Sequence, residues 1–129
     1  MRDPRKGAAL VALFLALPAA AENLSLSAGT TTLLVEVDQI APVFMHGRPS
    51  VQLSLTDTSG LAMADLTESM IGEMLTVSLC DVPLLQAVVR ARLEGRAIIN
   101  MPSIESAIAV TEVVNGETTC ADLAQHFPD

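Results

Sequence analysis

Alternation of apolar and polar positions is the clearest regularity along this chain. In Ser50-Val51-Gln52-Leu53-Ser54-Leu55-Thr56, the side chains of Val51, Leu53 and Leu55 fall on one face of an extended segment, which predicts a half-buried strand. Met74-Leu75-Thr76-Val77-Ser78-Leu79 repeats the pattern, and Leu84 to Val89 and Arg96 to Met101 predict two further strands divided by Glu94-Gly95. An earlier strand is expected at Thr32 to Val37, ended by Asp38 and Pro42, with a turn at His46-Gly47-Arg48-Pro49. The Ser-, Thr- and Gly-rich residues from Glu22 to Thr31 read as a loose lead-in.

The period changes in two places. After Asp57-Thr58-Ser59, whose oxygens suit free helix amides, Ala62, Met63, Leu66 and Met70 recur at helical spacing, and Gly72 stops the helix. Pro102-Ser103 opens a second helix, with Ile104, Ala107, Ile108, Thr111 and Val114 as its apolar stripe and Asn115-Gly116 as its end. Helices separated by runs of strands predict an α+β fold, an antiparallel sheet with two helices packed on one face, as in ferredoxin-like sandwiches.

The first residues change the picture of where the chain works. Arg2, Arg5 and Lys6 precede an apolar run from Ala8 to Leu17, and Ala19-Ala20-Ala21 places small residues where a signal peptidase reads. Met1 to Ala21 is therefore expected to be a secretory signal cleaved between Ala21 and Glu22, giving an exported, periplasmic chain with no membrane span. The run is shorter than the roughly 20 residues a bilayer needs, so retention as an anchor is the lesser alternative. Removing three of the seven basic residues and one of the fifteen acidic residues takes the net charge from −8 to −10. So acidic a surface argues against a nucleic-acid partner, which needs Lys and Arg to neutralise phosphate. With no Trp or Tyr and with Phe14, Phe44 and Phe127 as the only aromatic residues, the core must be aliphatic.

Order and spacing then suggest a family. The run "RPSVQLSLTDTSGLAMADLTESMIGEMLTVSLCDVPLL", the later "AIIN" and "MPSIESAIAVTEVVNG" resemble the head subdomain of the first periplasmic domain of SecD, an accessory subunit of bacterial protein export. The matching positions are Pro49, Val51, Leu53, Leu55, Leu66, Thr67, Gly72, Leu79, Val82, Gly95, Ile98, Ile104, Ala107 and Gly116, so the resemblance runs from Arg48 to Gly116. It implies a head-like domain over 48–116, preceded by a lead-in and first strand over 22–47 and followed by a tail over 117–129. It also implies a partner that is polypeptide or a translocon protein; a different cell-envelope protein is the alternative partner, and no cofactor is expected. The departures are that the family's membrane helices and base subdomain have no counterpart in this sequence, and that its Asp-Gly turn is replaced by Cys80-Asp81. A secreted structural module with another partner is the runner-up, and a hydrolase with a cryptic site a distant third.

Candidate chemistry is sparse. Cys80 and Cys120 are the only cysteines, and an exported chain favours a bond between them, although their spacing leaves two free thiols or a redox role open. His46 and His126 lie in no ligand-spaced cluster, and a metal site joining them to Asp81 or Asp129 is less expected than two solvated side chains. Asp57, Asp65, Glu68 and Glu73 read as a solvated helix face rather than a catalytic pair. Arg90, Arg92 and Arg96, placed on or beside the expected hairpin, either discourage edge pairing or contact an acidic partner. Met63, Met70 and Met74 suit a core, or an adaptable apolar surface.

Overall fold

Three two-residue hairpins set the frame of the molecule, which a computed structural model describes over residues 22–127. The expected signal segment, with Ala21, and Asp129 lie outside the described residues. Strand β1 (Leu24–Ala28) turns through Gly29-Thr30 into β2 (Thr31–Val35), and β3 (Val37–Met45) through His46-Gly47 into β4 (Arg48–Leu55). Strand β5 (Met74–Leu79) turns through Cys80-Asp81 into β6 (Val82–Val88). Helix α1 (Asp57–Ser69), strand β7 (Arg96–Asn100), helix α2 (Ile104–Val114) and a short helix α3 (Cys120–Ala124) complete the order. Cys80 and Asp81 both have left-handed backbones, φ 53° and 64°, which a type I′ hairpin turn demands and which glycine or asparagine would usually supply.

The fold is α+β with antiparallel pairing, as expected, and its strands divide between two sheets. One has the order β2-β1-β5-β6 and the other β3-β4-β7. The segment read as a loose lead-in is strand β1, lying between β2 and β5. Its Leu24, Leu26 and Ala28 are buried, and the Ser residues between them face outward. The strand expected over Thr32 to Val37 is broken at Glu36 between β2 and β3, and β3 runs on through Asp38 and Pro42, because it is an edge strand and proline's missing N–H can be spared on its open side. Strands β6 and β7, expected as a hairpin, belong to different sheets, and 89–95 is a crossover between them.

The chain first passes between sheets at Glu36, and α1 anchors that point. The Glu36 N–H donates to Ser59 Oγ at 2.8 Å, and its carbonyl accepts from the Thr56 N–H at 3.1 Å. Thr56, one residue before the expected caps, caps α1 by accepting from the Ser59 N–H at 3.3 Å. A second close approach lies beside it: a Cβ on Gly95 would stand 3.0 Å from the Gly60 Cα, so the crossover packs backbone to backbone against the first turn of α1.

Both sheets contribute to one core, which runs from Leu24 to Leu123 and includes Val51, Leu79 and Val110. Between the sheets is an apolar cavity of about 60 Å³ lined by residues such as Leu26, Val77, Leu55 and Ile99. Helix α1 packs on β2 and β4, and α2 on β3, β4 and α3. The buried face of α2 is formed by Ser106, Ala107, Ala109, Val110, Val113 and Val114. It is rotated from the expected stripe, leaving Ile108 42% exposed, because α3 covers part of the helix as well. The tail is tied down by fully buried Leu123 and by Ser106 Oγ, which donates to the His126 carbonyl at 2.8 Å.

Candidate functional site

Three places hold the chemistry that the sequence singled out. The first is a disulfide between Cys80 and Cys120, with Cα atoms 5.6 Å apart, which pins the β5–β6 turn to the start of α3. Closing a loop of 40 residues, it stabilises by about 4 kcal/mol in the chain-entropy picture. Among the described residues, the one group of three or more metal-type ligand atoms combines these sulfurs with Glu22. The histidines are not drawn into it. His46 occupies the β3–β4 turn with φ 52°, and His126 sits 4.0 Å from Asp122.

The second place is the crossover 89–95. Thr67, fully buried on α1, accepts the Leu93 N–H at 2.8 Å while its hydroxyl donates back to the Met63 carbonyl at 2.9 Å. This fixes Arg92 over the acidic face of α1, 2.8 Å from Glu68 and 3.4 Å from Asp65, with Glu94 also at 3.4 Å. Desolvation pulls the guanidinium down, but the carboxylates, Glu68 foremost, outweigh it and hold Arg92 above an arginine's ordinary value. Arg92 is thus engaged within its own chain, whereas Arg90 and Arg96 are exposed and form no ion pair among the described residues.

The third place is the open face of the β3-β4-β7 sheet. Register sets its side chains in rows: Ala41, Gln52 and Ile98 in one, and Gln39, Ser54 and Arg96 in the next. Toward the far end, Val43, Ser50 and Asn100 align, and fully buried Ser50 donates to Asn100 Oδ1 at 3.0 Å. A broad groove of about 1120 Å³ runs over the first two rows and reaches Val43, Met45 and Asn115. It continues past Gln39, Ser54 and Arg96 into a second groove of about 700 Å³ that carries Asp38, Asp57 and Glu94. The trough is therefore apolar and amide-bearing at one end and acidic at the other, with Arg96 where they meet.

Of the arginines singled out in sequence, the structure brings Arg96 to this trough, holds Arg92 against the acidic face of α1 and leaves Arg90 outside the lining. Sequence reasoning missed Gln39, Ala41 and Val43 because it ended the strand at Val37, taking Asp38 and Pro42 as its stop. A signal was present in Ile98-Ile99, where consecutive apolar residues in a strand point to opposite faces. Ile99 is buried and Ile98 is 47% exposed.

No family model and no curated protein matches the chain. Solved structures do. A structure described as that of "a membrane component SecDF that enhances protein export" superposes with a TM-score of 0.64 over 93% of this chain and 73% of that one, at 19% identity. The fold is SecD-like. A second structure, SecDF in a super-membrane-facing form, gives a TM-score of 0.59 at 25% identity over 66% of this chain, which spans only 12% of that SecDF chain. That 93% coverage exceeds the Arg48 to Gly116 stretch that carries the sequence resemblance.

Proposed function

We propose that the chain is a protein-export-related domain, acting on the periplasmic side, that holds extended polypeptide in the trough over β3, β4 and β7. The observation that carries this reading is the exposed row Ala41, Gln52 and Ile98 beside the acidic groove, on a SecD-like fold. Apolar side chains would lie over Ile98 and Val43, amide side chains would pair with backbone groups, and basic residues would favour the Asp38, Asp57 and Glu94 end. Contact of this kind is weak and sequence-tolerant and involves no bond chemistry. No helix among the described residues is long and apolar enough to cross a membrane.

Fluorescence anisotropy with a labelled, unfolded peptide rich in apolar and basic residues tests this. Ile98→Asp should weaken binding by more than about tenfold, since it places a charge within the apolar contact. Leu34→Asp, at a 65% exposed position on the other sheet, should leave binding unchanged. Equal affinity of wild type and Ile98→Asp, or no binding by either, overturns the assignment.

A further inference from the structure

The disulfide corner holds a group that a simple staple does not require. A carboxylate oxygen of Glu22 and the sulfurs of Cys80 and Cys120 all lie within 4.8 Å of one another, and all three residues are partly exposed. We propose that this corner is a site for a thiophilic divalent cation such as Zn²⁺, opened when a dithiol reductant cleaves the Cys80–Cys120 bond. The reductant gives up two electrons and two protons and becomes its own disulfide, and the two cysteines become thiols. On binding the cation both thiols release their protons to solvent and coordinate as thiolates, with the Glu22 carboxylate as third ligand and water as fourth.

Geometry supports the exchange. Zn–S bonds of about 2.3 Å and Zn–O bonds of about 2.1 Å place tetrahedral ligand atoms roughly 3.4–3.8 Å apart. The three groups already fall within a span of that order, and the 5.6 Å Cα separation lets cysteine side-chain rotation alone part the sulfurs. The ligand positions are also held by contacts other than the disulfide. Glu22 is two residues from β1, which is paired on both sides. Cys80 lies in a hairpin turn closed by the Leu79–Val82 pair. Cys120 begins a helix docked by fully buried Leu123. Reduction therefore leaves the ligands gathered, and the cation would restore the link between the β5–β6 turn and α3 by other chemistry.

The test is a titration of the reduced, desalted protein with Cd²⁺ under anaerobic conditions. Thiolate-to-metal charge-transfer absorption and the melting temperature are read together. The expected result is one Cd²⁺ per chain, with a melting temperature above that of the reduced metal-free protein. Glu22→Gln should weaken binding by more than about tenfold while its oxidised form melts like wild type, and Cys120→Ser should abolish the absorption. Absence of the band in the reduced wild type overturns the proposal, as does a Glu22→Gln affinity equal to wild type, whether or not the reduced chain stays folded.

Discussion

Thr67→Val is a sharp probe of how the crossover is held, because valine keeps the branched shape of threonine and replaces only its hydroxyl with a methyl group. Thr67 is fully buried, and its Oγ1 accepts the Leu93 N–H at 2.8 Å. The hydroxyl's own donation, to the Met63 and Ala64 carbonyls, adds little, since such carbonyls already serve the helix. The loss is therefore set by leaving an amide without its partner, about 1–3 kcal/mol. Thr67→Ser keeps the oxygen and removes one methyl group, about 0.8 kcal/mol. For a domain of this size a 2 kcal/mol loss lowers the urea midpoint by roughly 1 M. Denaturation of both variants, with hydrogen exchange read at the Leu93 amide, separates the causes. Valine should shift the midpoint more than serine and speed Leu93 exchange, while serine should leave that exchange slow. A Thr67→Val midpoint within about 0.3 M of wild type, with Leu93 still protected, would refute the reasoning.

Two further predictions concern the backbone. Asp81→Gly should raise stability by up to about 1 kcal/mol and Asp81→Val should lower it by more than about 1 kcal/mol, because the residue stands at φ 64°; urea midpoints of the two variants check the opposite signs. Gly95→Ala should cost about 1–3 kcal/mol, since its Cβ would press on the Gly60 Cα at 3.0 Å, and a thermal midpoint equal to wild type would contradict that packing.

Much of this fold was legible because period and position agree locally. Strands β4 and β5 alternate cleanly, and their inward residues, Val51, Leu53, Leu75 and Val77, are the buried ones. The Cys80-Asp81 turn was legible too, although its residue types are unusual for its left-handed geometry. Strand β1 was missed although Leu24-Ser25-Leu26-Ser27-Ala28 alternates, because its serines read as loop composition when their role is to face outward. Pro42 misled for a related reason: it forbids a central strand and not an edge strand, and only the assembled sheet shows which one β3 is. The division into two sheets depends on long-range pairing, β1 with β5 and β4 with β7, that no local pattern encodes. For the same reason the trough was invisible in sequence, since its rows draw one residue from each of three strands. Arg92 was readable as a charge and not as a partner of Glu68, which is 24 residues away.

Photo-crosslinking from position 98 in exporting cells tests the central claim most directly. With a benzophenone side chain in place of Ile98, the account predicts crosslinks to a broad set of polypeptides in transit, and far fewer from the same group at Leu34. Crosslinks from position 98 to a single envelope protein, or equal yields from the two positions, would contradict it.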